Sequence, residues 1–251
     1  METLFTGQNH IHLSECPSVN THAMELLKAI KLPEGTLIST DRQTSGRGQR
    51  GNMWESQDGK NLTVCIVYHP TFLSAENIFL LSMTVSLGIH DLLSCLLGSE
   101  YDISIKWPND ILVGKKKICG ILIENLFRDG RLGSSVVGIG LNVNQSVFSD
   151  VITNVTSLNL LASRDFNLAE LRAILCSKIE RRFLQLRSGA QTDIKRDYMR
   201  RLYLRNSSHQ YKIADGNNVT GKIVDVTIDG QMIIQSESGD LLKFRTKEIL
   251  F

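Results

Sequence analysis

The chain has 251 residues, 42% of them hydrophobic, which is enough for one large domain with its own core and a smaller one beside it. Its 28 basic and 26 acidic residues leave a formal charge of +2, so bulk electrostatics give no argument for a nucleic-acid partner. Five widely spaced cysteines (Cys16, Cys65, Cys95, Cys119, Cys176) without a CxxC pair argue against a disulfide frame or a zinc cluster and for reduced thiols in a cytoplasm.

The N-terminal METLFTGQNHIH has neither the basic nor the apolar region of a secretory signal. His10 and His12 share one face of a strand and read as structural, because no third metal ligand is near them in the sequence. A helix is predicted from about Asn20 to Lys31, capped by Asn20 or Thr21, with Leu26, Leu27 and Ile30 as its apolar stripe. Gly35–Thr40 is apolar and β-branched and reads as a strand. Residues 41–54, DRQTSGRGQRGNMW, then contain GRGQRG, which fits the dinucleotide fingerprint G-x-G-x-x-G. That fingerprint needs a helix opening directly out of the loop. Here the turn-prone Gln57–Asn61 and a strand-like LTVCIVY ending at Tyr68 follow, so no helix N-terminus can be aimed at a pyrophosphate. What remains is a flexible loop whose backbone N–H groups and two guanidinium groups, Arg47 and Arg50, can wrap an anion. A solvated hairpin with two ordinary arginines is the plainer alternative.

Ile78–Leu97 is the most apolar stretch, but His90, Asp91 and its serines mark it as a buried amphipathic helix and not a membrane span. Strands are predicted over Asp102–Trp107, Ile118–Phe127 and Arg131–Val143, the last two joined by the turn Arg128-Asp-Gly130. Lys106-Trp-Pro-Asn-Asp110 reads first as a tight connection after a strand. It also gathers a cation, an aromatic face, an amide and a carboxylate, parts suited to a nucleotide and Mg²⁺. In Lys115-Lys-Lys-Ile-Cys-Gly120 the lysines of a hairpin tip are solubilising, except that Lys117 adjoins a buried-looking strand where Gly120 leaves the backbone approachable. Val136–Asn144 places Gly138 and Gly140 on one strand face, with Asn142 two residues on; the bare face is either a groove or the seat of a helix. Further helices are predicted over Asn167–Arg187 and Thr192–Leu204, with Glu180-Arg-Arg182 and the RRxxxR of Arg200–Arg205 forming a solvated face. After Asn206-Ser-Ser208, glycines 221, 230 and 239 separate short β-rich runs, which predicts a small antiparallel barrel packed on the first domain.

GRGQRGxxW, KWPNDI, KKICGILIE and VVGIGLNVN, in that order, resemble the motif series of biotin–protein ligases, and the resemblance runs from about Pro17 to the terminal KEILF. It implies an α+β fold. Residues 1–206 would be a catalytic domain like that of class II aminoacyl-tRNA synthetases, with a mixed sheet and flanking helices, and residues 207–251 an SH3-like barrel. It also implies a cytoplasmic, AMP-producing biotin–[acetyl-CoA-carboxylase] ligase that uses ATP, biotin and Mg²⁺ to make biotinyl-5′-AMP. The acceptor would be a lysine of a biotin carboxyl carrier protein, and a homodimer through sheet edges is compatible with the resemblance. By matching position, Ser18, Val19, Asn20, Gln43, Arg47, Gly48, Gln49, Lys117, Gly120 and Gly138 would meet biotin. Arg47, Arg50, Trp54, Asn109, Asp110, Lys117 and Asn142 would meet ATP. Lys117, Arg47 and Asp110 would be catalytic, with Asp110 suited to either a base or a metal role. Two positions depart from the pattern: Val19 where many relatives carry Thr, and Gln49 where many carry Arg. The rivals are a lipoate–protein ligase, whose RxxGGGAVxHD-like stretch is not found, a non-catalytic biotin sensor, and a DNA-binding repressor. For the repressor, about 17 residues before Ser18 are too few for a winged helix.

Overall fold

A computed structural model describes residues 3–214 and 216–250; the side chains of Arg50 and Leu250 lie outside the described set. The chain forms β1 (His10–Cys16), α1 (Val19–Ala29), β2 (Thr36–Gln43), β3 (Leu62–Tyr68), α2 (Phe79–Leu97), β4 (Ile103–Lys106), β5 (Asp110–Val113), β6 (Lys116–Arg128) and β7 (Arg131–Leu141). These are followed by α3 (Leu158–Ala162), α4 (Leu168–Arg187), α5 (Gln191–Arg200), β8 (Ser208–Ile213), β9 (Asn218–Val226), β10 (Met232–Ser236), β11 (Leu241–Phe244) and β12 (Ile249–Leu250).

The first seven strands make one mixed sheet in the order β1-β2-β3-β7-β6-β5-β4. Only β1 and β2 run parallel, and α1 is the crossover that a parallel pair requires. Alternation along β3 sorts its side chains: Val64, Ile66 and Tyr68 join the large core under α2, α4 and α5, whereas Cys65 and Val67 join a small core under α1. Each fully buried aliphatic side chain contributes about 1.5–3 kcal/mol, so the α2 face carries most of the stability. By length and composition α2 could cross a membrane, but 67% of its apolar window is buried inside the fold, as for a core helix.

Three local expectations change. The residue preceding α1 is Ser18, and Asn20 lies inside the helix with its amide turned onto the sheet, so neither Asn20 nor Thr21 caps it. Asp110–Val113, for which no strand was predicted, is a strand paired on both sides; the expected tight connection is the turn at 107–109 that joins it to β4. Glu180 and Arg182 do not form a solvated face. The Glu180 carboxylate is 5% exposed and accepts the backbone N–H groups of Leu4, Phe5 and Thr6 at 2.6, 2.9 and 2.7 Å. Arg182 reaches Asp91 of α2 at 2.7 Å and Asp197 of α5 at 3.0 Å.

The last five strands form an antiparallel sheet in the order β11-β10-β9-β8-β12. β11 and the two-residue β12 remain edges, so the sheet is open where a closed barrel was expected. It is docked as predicted. Tyr211, Ile223, Val226, Met232, Ile234 and Ile249 belong to the same core as the large sheet. Trp107 Nε1 donates to Gly230 O at 3.1 Å, and Lys195 Nζ meets Asp225 at 2.8 Å.

Candidate active site

A cavity of about 560 Å³ lies on the α1 side of the large sheet. Its floor follows from strand register. Lys106, Asp110, Gly120, Gly140 and Thr63 are successive cross-strand partners on β4, β5, β6, β7 and β3. The middle of this row is bare for a steric reason. A Cβ on Gly140 would stand 2.3 Å from the Trp54 indole, and one on Gly120 would stand 3.0 Å from it. One row over, a Cβ on Gly138 would stand 2.1 Å from Asn20 Oδ1. The alternating glycines thus make a groove, and it receives an indole and an amide.

One end of the floor is charged. Lys117 Nζ lies 2.7 Å from Asp110 Oδ1 and 5.5 Å from the centre of the Trp54 ring, a distance at which a cation is drawn to an aromatic face. The Lys117 backbone is held by the 144–156 segment: its N–H donates to Asn154 O at 2.7 Å and its carbonyl accepts from Thr156 at 2.9 Å. Burial lowers the affinity of Lys106 for its proton below the lysine norm; Asp110 opposes that shift and Lys117 adds to it. Among the described residues, Asp110 is the one carboxylate lining the cavity, against Arg47, Lys106, Lys117 and Lys247. The cavity therefore focuses positive potential and suits a polyanion.

The opposite end is built from α1 and the glycine–arginine loop. Ser18, Val19, Asn20 and Gln43 line it. Gln43 Oε1 accepts the Val19 N–H at 2.9 Å, and Asn20 Nδ2 donates to Leu122 O at 3.1 Å and Glu124 Oε2 at 3.0 Å. The loop folds back on itself, with Gly48 N donating to Asn52 O at 2.7 Å and Trp54 N to Gly46 O at 3.0 Å. Gly48 and Gln49 line the cavity with it. Arg47 donates to Thr21 Oγ1 at 3.2 Å and Glu124 Oε1 at 3.0 Å. Four strand residues separate Glu124 from Gly120, roughly 13 Å at about 3.3 Å per residue. Arg47 and Lys117 thus occupy opposite ends of the floor.

The structure brings together every residue expected at the site whose side chain is described, except Asn142. That residue is buried behind the cavity, with Nδ2 donating to Thr156 O at 3.0 Å and Oδ1 left without a partner. Arg50, the remaining expectation, has its side chain outside the described residues. Asn109 lines the cavity, but its amide is committed to β6, donating to Ile121 O at 2.9 Å. Trp54 sets its ring beside Lys117, while Trp107, which also lines the cavity, uses its indole N–H to tie down the C-terminal sheet. Lys106, read from the sequence as the cation of a nucleotide-suited cluster, lines the cavity; Glu124, Thr246 and Lys247 were given no site role. Glu124 ends the quoted KKICGILIE; Thr246, just before the terminal KEILF, and Lys247, which opens it, lie more than a hundred residues further on and join only by tertiary docking. Among the described residues no three His, Cys, Asp or Glu side chains converge on a metal position. A lone lining carboxylate fits a Mg²⁺ ion that is carried mainly by phosphate oxygens and touches one protein group.

Comparison with known proteins places the chain among relatives in sequence and in fold. The sequence model of the Biotin/lipoate A/B protein ligase family matches residues 14–142. The Bacillus subtilis bifunctional ligase/repressor BirA is 29% identical over 248 residues, covering 96% of this chain and 71% of that protein. The biotin–[acetyl-CoA-carboxylase] ligase of Mycobacterium tuberculosis is 25% identical over 202 residues, covering 80% of this chain and 73% of its own. In structure, the Aquifex aeolicus biotin protein ligase in complex with biotin and ATP superposes with a TM-score of 0.79 at 27% identity, covering 97% of this chain and 98% of that one. With over half of its length matched by the family's own sequence pattern, the chain belongs to the Biotin/lipoate A/B protein ligase family.

Proposed function

We propose that this chain is an ATP-dependent biotin–protein ligase that activates biotin as biotinyl-5′-AMP and transfers it to a lysine of a biotin carboxyl carrier protein. The observation that carries the reading is the cavity floor, where a bare glycine groove leads from the amide-lined end at Asn20 and Gln43 to the Lys106–Asp110–Lys117 cluster. An uncharged, hydrogen-bonding ring system suits the first end, and a phosphate suits the second.

In the first step the biotin carboxylate attacks the α-phosphorus of ATP, a P–O bond forms, and pyrophosphate leaves. Anion meets anion, so preorganised cations at the developing charge lower the barrier. Lys117 is the group for this, since its ammonium already sits over the groove beside Trp54. Mg²⁺ would be held by phosphate oxygens and Asp110, and would supply further charge neutralisation. Lys106 and Lys247 hold the remaining phosphates. In the second step the carrier amine attacks the acyl carbon, an amide forms, and AMP leaves. Once Lys117 turns to the phosphate, Asp110 is released to orient the incoming ammonium and take its proton. The mixed anhydride is labile to water, and the glycine–arginine loop covers it. Residues 1–206 form the catalytic domain in this reading, and 207–251 a small appended antiparallel sheet. A cytoplasmic location fits an acceptor that is a carboxylase domain.

The test is single-turnover labelling: the protein is incubated with biotin and Mg·ATP, then mixed with an apo carrier domain. Accumulation of biotinyl-AMP followed by its loss to the carrier is expected. A carrier with its acceptor lysine changed to arginine should stay unlabelled. Equal labelling of that control, or no adenylate, would refute the assignment.

A further inference from the structure

Glu124 lies outside the cavity lining, yet its side chain holds both walls of the amide-lined end from below, on β6. Its two carboxylate oxygens are divided: Oε1 accepts from Arg47 of the glycine–arginine loop at 3.0 Å, and Oε2 accepts from Asn20 of α1 at 3.0 Å. The carboxylate stands on β6 opposite Val136 and is 23% exposed, against 50% for Arg47. It is therefore the more enclosed partner, on a strand paired along its length, and the arginine is the more exposed one, on a loop. Two of the four contacts made by the Asn20 amide and the Arg47 guanidinium would be lost with this one group. The loop stem is tied to the end of β1 by backbone bonds, Thr44 N to Cys16 O at 3.0 Å and Ser45 N to Pro17 O at 2.9 Å, while Arg47 itself has one other side-chain partner, Thr21 of α1 at 3.2 Å.

We propose that Glu124 is a positioning residue that clamps the glycine–arginine loop shut: the loop closes by seating Arg47 on this carboxylate, and the same carboxylate orients the Asn20 amide towards the ligand. This rests on the ligase reading for the identity of the ligand, but the clamp itself does not. Arg47 then acts on the adenylate chiefly by holding the lid, since its partner is at the far end of the floor from Lys117. Removing the carboxylate charge leaves the reacting cluster of Lys117 and Asp110 untouched. Loss of the clamp should therefore appear in ligand retention and not in the rate of transfer at saturation.

The experiment compares full-length wild type with Glu124→Gln, Arg47→Gln and the double variant. Dissociation of preformed biotinyl-AMP should speed up about fivefold in Glu124→Gln, the scale of one half-exposed charged contact with a second hydrogen bond attached. The biotin KM should rise by a similar factor with kcat for transfer unchanged. The double variant should speed adenylate release by less than the product of the two single effects, because the Arg47–Glu124 contact is shared and only the Asn20 contact is added. Independently of catalysis, trypsin should cut the loop at Arg47–Arg50 several-fold faster in Glu124→Gln than in wild type. If Glu124→Gln proves unstable, the charge swap Arg47→Glu with Glu124→Arg should restore slow release relative to Arg47→Glu alone. Unchanged proteolysis and release in Glu124→Gln, multiplicative effects in the double variant, or no rescue by the swap would overturn the clamp. Wild type that makes no adenylate but shows the trypsin difference would overturn the ligase reading and leave the clamp standing.

Discussion

Lys117→Ala should lower biotin-dependent adenylate formation by well over tenfold, since it removes the ammonium that lies over the groove beside Asp110 and Trp54. Near-normal pyrophosphate exchange in that variant would remove Lys117 from the chemistry. Gly140→Ala tests the groove itself. The new methyl would meet the Trp54 indole at 2.3 Å, so the ring must leave its seat. The nucleotide KM should rise about tenfold, as expected of an overpacked contact, with the unfolding midpoint moving only a few degrees. An unchanged KM would mean that Trp54 is not a wall of the nucleotide site. The two glycines were legible because β-strand alternation has a period of two residues, so Gly138 and Gly140 had to share a face. Asn142 was not. β7 ends at Leu141, and beyond a strand end periodicity no longer says which way a side chain turns. Glu124 was quoted as the end of a motif, but its double engagement depends on where Asn20 and Arg47 meet it in space.

Helices and strands with a clear apolar period were readable to within a few residues: α1, β3, α2, β6, β7 and α4 all fall where pattern and turn signals put them. β5 was hidden because four residues opening with Asp carry almost no periodic signal. The charged side of α4 was misread for a related reason. Charge says that a side chain wants partners, and only packing says whether they are water or protein. Arg182 is 13% exposed and joins α2 to α5 through Asp91 and Asp197. Arg182→Ala should therefore lower stability by about 2 kcal/mol, between the values typical of exposed and of buried pairs. Urea unfolding would show this as a lower midpoint at unchanged slope. A loss under about 0.5 kcal/mol would return the residue to the solvated face first read from the sequence.

At the scale of the molecule, a mixed sheet with helices on both faces carries the cavity, and the small C-terminal sheet completes its rim with Thr246, Lys247 and Ile249. Glycine spacing exposed that module as β-structure. It could not tell an open sheet from a closed one, because closure depends on whether the edge strands meet. Lys247→Ala should raise the ATP KM about threefold and leave the biotin KM alone, because an exposed cation at the rim contributes a screened attraction to phosphate. Equal effects on both substrates would point to a loosened sheet instead of a lost charge. The central claim, that one groove activates biotin against ATP, is tested most directly by ATP–pyrophosphate exchange with biotin, with lipoate and with no acid. The account predicts exchange with biotin alone; exchange with lipoate at a comparable rate, or none with biotin, would contradict it.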